Sequence, residues 1–141
     1  MRNTWPILIF VLVAPVAADA ACFDEAAARY GLPTSLLKAI SRVESSGNPH
    51  AVNRNSNGSY DIGHMQINSQ WLPVLQRYGI DQRMLFDACV STYVGAWVLA
   101  QNIRRHGYNW TAIGAYNAAS PSKRMVYARR VAEALQREGS L

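Results

Sequence analysis

Apolar side chains recur at helical spacing through most of this chain. The clearest segment is Val90 to Arg105, where Val90, Tyr93, Val94, Trp97 and Val98 fall at i, i+3, i+4, i+7 and i+8. That stripe predicts an amphipathic helix stopped by Gly107. Pro33-Thr34-Ser35 opens another helix, which carries Leu36, Leu37, Ile40 and Val43 on one side and stops at Gly47-Asn48-Pro49. Shorter helices are expected over Asp24 to Tyr30, around Met65 to Leu72 and, buried, over Trp110 to Asn117. Lys123 to Arg137 closes the chain as an amphipathic helix with Val131 and Leu135 inward. The stretch His50 to Asp61 is rich in Asn, Ser and Gly and reads as a loop or a small irregular hairpin, and Gly79 to Asp87 as a loop. The expected fold class is therefore mostly α, a small single-domain helical globule with an irregular loop or hairpin segment. No internal repeat or low-complexity tract interrupts it.

The first twenty residues stand apart from this pattern. A polar start with Arg2 is followed by an apolar run from Ile7 to Val13 and then by Ala17-Ala18-Asp19-Ala20. This is the layout of a secretory signal peptide cut after Ala20. The alternative is a membrane anchor, but the apolar run is short of the roughly 20 residues a span requires. The expected organisation is a signal peptide over 1–20 and one catalytic-sized domain over 21–141, working in the periplasm or cell-wall space.

Export changes the meaning of the two cysteines. In an oxidising compartment Cys22 and Cys89 are expected to form a disulfide, the alternative being two buried thiols. His50, His64 and His106 lack metal-ligand spacing, so no metal site and no cofactor are expected. The net charge of +5 favours anionic partners such as wall polymers or membrane surfaces. The cations are scattered, with pairs only at Arg104-Arg105 and Arg129-Arg130, which argues against nucleic acid as a partner.

Candidate chemistry centres on Glu44. At 100° per residue it lies in line with Leu37 and Ile40, at the last turn of its helix. Burial and the negative end of the helix dipole both favour the protonated carboxyl. A general acid needs that property at neutral pH. The competing possibility is a glutamate that points to water or pairs with Arg42. Two further segments carry polar groups suited to sugars, Gly63-His64-Met65-Gln66-Ile67-Asn68 and Ala115-Tyr116-Asn117-Ala118. Each is unremarkable alone: polar helix residues and a satisfied core tyrosine look the same.

Taken in order, Glu44-Ser45 with Asn48-Pro49, Gly63-x-Met65-Gln66-Ile67-Asn68 and Ala115-Tyr116-Asn117 resemble the soluble lytic transglycosylases of the goose-type lysozyme superfamily. The resemblance extends from about Cys22 to Leu135. It is greatest to the small, specialised members that accompany secretion, conjugation or pilus assembly. It implies a lysozyme-like helical fold and peptidoglycan glycan strands as substrate. Glu44 is then the sole acid and base: it protonates the bridge oxygen between N-acetylmuramic acid and N-acetylglucosamine, and then takes the proton of the muramic 6-hydroxyl to close a 1,6-anhydro ring. It further implies substrate-binding positions at Ser45, Asn53, Met65, Gln66, Asn68 and Tyr116, with Met65 lining the groove and Asn117 beside it, more as structural support.

Three positions depart from that pattern. His64 stands where many relatives carry Leu, and either bonds substrate or fills space. Asn53 replaces a Ser that orients the substrate's acetamido group in some relatives. Ala119 occupies a common Gly position. Asp61, the one plausible second carboxylate near the motifs, is expected to organise a turn. Two other functions fit the same residues: a lysozyme-type hydrolase, and a non-catalytic wall-binding assembly factor.

Overall fold

The computed structural model describes residues 20–139, so nearly all of the expected signal peptide lies outside the described residues. Among these residues are six α-helices and one small three-stranded sheet. The helices are α1 (Phe23–Tyr30), α2 (Thr34–Ser45), α3 (Leu72–Gln76), α4 (Ala88–His106), α5 (Trp110–Gly114) and α6 (Pro121–Gly139). Gly31 ends α1 in the left-handed region, where the absence of a Cβ removes the steric cost. α2 ends one residue earlier than expected, because Ser46 itself turns left-handed and its N–H returns to the Arg42 carbonyl. α4 begins at a true cap: the Asp87 carboxylate accepts from the Val90 N–H at 3.0 Å.

The polar stretch is a hairpin. β1 (Val52–Arg54) pairs antiparallel with β2 (Tyr60–Ile62), and β2 with β3 (Ile67–Asn68), in the order β1-β2-β3. Asp61 lies across from Asn53 on one side and Asn68 on the other. It is thus a strand residue, not the turn residue expected. The helix expected over Met65 to Leu72 does not form. Gly63 and Gln66 both take positive φ and reverse the chain, which a helix does not permit. Ile67 and Asn68 then pair as strand, Ser69–Trp71 make a 3-10 turn, and helix resumes only at Leu72. The loop expected from Gly79 to Asp87 contains a 3-10 turn over Arg83–Phe86, set down by the fully buried Leu85.

α4 is the central element, packed against α1, α2, α5, β3 and the 3-10 turn before it. α2 and α6 lie against each other, clipped at the surface by Arg42 Nη2 and Glu138 Oε1 at 2.7 Å. Leu37, Ile40, Ile62, Met65, Leu99 and Val131 fill the space between these layers. The Cys22–Cys89 disulfide joins the start of α1 to the first turn of α4. Among the described residues no helix is long and apolar enough to cross a membrane.

Candidate active site

The last turn of α2, the hairpin, α4, the turn after α5 and the first turn of α6 enclose one groove of about 520 Å³. That volume lies within the range of small-ligand sites. Glu44 sits in it, half-buried. Its helical register carries it round with Leu37 and Ile40, as the pattern of the sequence requires. Arg42 does not pair with it, being held by Glu138. The partner of Glu44 is instead Tyr127 of α6, whose Oη donates to Glu44 Oε1 at 2.7 Å. Asn117 lines the same groove, and its side chain favours the ionised carboxylate.

Burial pushes the Glu44 carboxyl from an ordinary 4.5 up to about 7. The bond from Tyr127 works against that rise, the negative charge of Asp61 adds to it, and Arg130 and Asn117 oppose it. Tyr127 and Tyr116 are themselves held well above the usual phenol range, chiefly by burial and then by the Glu44 charge, so both remain donors. Their rings stack with centroids 6.4 Å apart.

The Gly63–Asn68 segment forms the wall facing Glu44. Gln66, left-handed at φ 52°, turns its amide back into the hairpin. Its Nε2 donates to the Gly63 carbonyl at 2.9 Å, and its Oε1 accepts from Asn53 Nδ2 at 2.8 Å. Asn68 Nδ2 donates to Asp61 Oδ1 at 2.8 Å, and Asn55 Nδ2 donates to Asp61 Oδ2 at 3.1 Å. Both oxygens of Asp61 are therefore bound within the hairpin, while the residue lines the groove. Tyr116 Oη donates to the Met65 carbonyl at 2.7 Å, tying the turn after α5 to this wall.

Several expected contacts differ. Met65 does not line the groove: its side chain has no exposure and packs beneath the wall, against Gly95 of α4. Ser45 turns its hydroxyl away from the cavity, onto the His64 carbonyl at 2.8 Å. His64 is 2 % exposed. Its Nδ1 shares a hydrogen with Ser41 Oγ at 2.7 Å, and its Nε2 lies 2.9 Å from both the Ala88 carbonyl and Thr92 Oγ1. It fills the joint between α2 and α4 and does not reach substrate space. The helix expected over Trp110 to Asn117 ends at Gly114, its first residue Trp110 is exposed, and Ala115-Tyr116-Asn117 form the turn that enters the groove. Asn117 itself lines the groove, with Glu44 and Tyr116.

Sequence reasoning missed Tyr127. Its signal was present: Tyr127, Val131 and Ala134 share the buried face of α6, and a buried phenol requires a hydrogen-bond partner. Trp71, packed edge-on against Trp97 at 5.2 Å, also lines the groove and carried no motif. Among the described residues no group of three His, Cys, Asp or Glu side chains is placed to hold a metal ion.

The chain is similar to known proteins over this whole region. Residues 21–135 match the family described as Transglycosylase SLT domain. Invasion protein IagB of Salmonella typhimurium is 38% identical over 128 residues, spanning 90% of this chain and 80% of the relative. Protein IpgF of Shigella flexneri is 39% identical over 132 residues, spanning 93% and 87%. A solved structure of an inactive mutant of lytic transglycosylase Slt from Pseudomonas aeruginosa superposes with a TM-score of 0.70 over 87% of this chain. This chain spans only 24% of that one, and at 22% identity the likeness establishes the shared fold alone. By the extent of the family match and the identity to relatives of similar length, the chain belongs to the transglycosylase SLT domain family, the peptidoglycan lytic transglycosylases.

Proposed function

We propose that this protein cleaves the bond between N-acetylmuramic acid and N-acetylglucosamine with Glu44 as its one acid and base, leaving a 1,6-anhydro end. The observation that carries this reading is the state of Glu44. A carboxyl whose pKa is raised to about 7 is still protonated in about half of the molecules at neutral pH, where an ordinary glutamate is almost wholly ionised, and it sits in a groove large enough for a glycan. That proton passes to the bridge oxygen as the bond breaks. The substrate's acetamido group closes on the anomeric carbon as nucleophile. The carboxylate then removes the proton of the 6-hydroxyl, whose oxygen displaces the acetamido and closes the anhydro ring. Proton and charge balance, and Glu44 returns to its starting form.

Most glycosidases set two carboxylates across the bond, and substrate-assisted enzymes are exceptions. The bonding of Asp61 favours the exception: both its oxygens accept from asparagine amides, so its part is to hold the hairpin and, by its charge, to raise Glu44. Gln66, Asn53, Asn68, Tyr116 and Asn117 frame the reacting sugar, and Ser45 and Met65 position this wall from behind. The fold and disulfide suit an exported protein, with residues 1–20 as its signal peptide. The relatives named as invasion proteins support a role in opening the wall for a secretion, conjugation or pilus apparatus.

Purified sacculi incubated with the parent and with Glu44→Gln test this. The parent is expected to release products one water lighter than reducing-end muropeptides. Glu44→Gln should lower the rate by at least about 10²–10⁴-fold with an unchanged circular dichroism spectrum. Reducing ends would identify the hydrolase, and undiminished release by the variant would remove Glu44 from the chemistry.

A further inference from the structure

Cations that are scattered along the sequence gather on one face of α6. At about 100° per residue, Lys123, Arg129, Arg130 and Arg137 all fall within about 60° of Val126. All four are exposed, and so is Glu133, the one acid among them. Among the described residues none of the four forms an ion pair, and the pair that clips α6 to α2 uses Arg42 and Glu138 instead. Only Arg130 acts on the groove, where its charge favours the Glu44 carboxylate. The cationic face continues onto α2 through the exposed Lys38, which lines one cleft with Arg137. Gathered like charges repel one another, and an anionic surface laid against them relieves that repulsion.

The same face leaves two apolar side chains in water. Val126 is 61 % exposed at its centre, and Met125 is 48 % exposed at its edge. A single exposed apolar residue is ordinary. A pair set among cations suits a surface that is anionic outside and apolar beneath.

We propose that the outer face of α6 rests on an anionic phospholipid bilayer, with its cations on the headgroups and Val126 and Met125 dipping between them. A hydrated polyanion meets the cations but leaves the two apolar side chains wet, whereas a bilayer meets both. The contact is peripheral, since among the described residues no helix is long and apolar enough to cross a membrane. From Lys123 to Arg137 the helix rises about 21 Å, so it lies flat along the surface. The groove stays open in this pose. Tyr127, which bonds Glu44, and Arg124, which lines the groove, are turned about 100° and about 160° from Val126. The bilayer would thus hold the protein with its groove away from the lipid.

Sedimentation with vesicles measures the contact without any glycan, so its outcome is independent of the cleavage reaction. Vesicles of an equal mixture of phosphatidylcholine and phosphatidylglycerol are compared with vesicles of phosphatidylcholine alone. The parent is expected to sediment with the mixed vesicles and not with the neutral ones, and less as salt is raised. Each cation near an anionic surface tightens binding about fivefold, so Lys123→Gln, Arg129→Gln and Arg137→Gln together should weaken it about a hundredfold. Removing as many exposed cations outside α6, by Arg29→Gln, Arg77→Gln and Arg83→Gln, should weaken it far less. Met125→Ser with Val126→Ser keeps every charge and should weaken binding about tenfold. All these side chains are exposed, so the fold is retained. No sedimentation with the mixed vesicles, or an equal loss in the two sets of cation variants, would overturn the proposal. Undiminished binding after Met125→Ser and Val126→Ser would also overturn it, by marking a binder of polyanions in general.

Discussion

Tyr127 Oη lies 2.7 Å from Glu44 Oε1, joining residues 83 positions apart in the chain across the α2–α6 interface. The bond stabilises the carboxylate against the burial that disfavours it, and so sets how firmly the acid keeps its proton.

Removing that hydroxyl has a defined sign. In Tyr127→Phe the stabilised form loses a donor, so Glu44 holds its proton to higher pH. The alkaline limb of kcat/KM, expected near pH 7 in the parent, should move upward. The rate at the optimum should fall about tenfold as the side chain loses its anchor. Asp61→Asn removes a charge that raises Glu44, and should move the limb the other way. Rate profiles from pH 5 to 9 for the three proteins check both directions.

Stability carries the mirror image of that titration. Between its ordinary 4.5 and about 7, Glu44 is protonated in the native state and ionised in the unfolded chain. Its contribution to stability therefore falls as pH rises through that window, and the penalty, about 3 kcal/mol at most, is complete above it. Glu44→Gln cannot ionise. It should melt above the parent at pH 8, with the gap closing as the pH approaches 4.5. Thermal melts of both proteins across that range measure it.

Gly95 is the point where α4 passes beneath the site. A Cβ there meets Met65 Cε at 2.6 Å and Tyr116 Oη at 2.9 Å. Gly95→Ala gains about 1 kcal/mol of helix propensity. The crowding costs about 1–3 kcal/mol, so a net loss is expected. Turnover should fall with it, since the Tyr116–Met65 tie must shift. Calorimetry and sacculus digestion on the same preparation separate the two effects.

The Cys22–Cys89 bond closes a segment with a sequence separation of 67. A loop of that size is worth about 4 kcal/mol in the chain-entropy account. Replacing both cysteines with serine should lower the Tm by about 10 °C or more, and reductant should bring the parent to the same value. Equal melting with and without reductant would deny the bond its stabilising role.

Much of this molecule is local enough to be legible in one dimension. The period of Val90 to Val98 marks α4, Gly31 and Gly107 end their helices, and the phase of Leu37, Ile40 and Glu44 places the carboxyl on an apolar face, because helical register is fixed by geometry alone. The Met65–Leu72 segment failed for the opposite reason. Its apolar spacing fits a helix, but strand pairing with β2 and the left-handed Gln66 override that preference, and pairing depends on residues brought from elsewhere.

What sequence alone determined was therefore the helical frame, the place of Glu44 on an apolar helix face and the motif segments that carry the family resemblance. Tertiary structure decided the rest: that Tyr127 rather than Arg42 meets Glu44, and that His64 is a joint and Met65 a floor. Periodicity reports which way a side chain faces on its own element. Which partner waits there depends on how the elements pack, and so does the desolvation that raises a carboxyl's pKa.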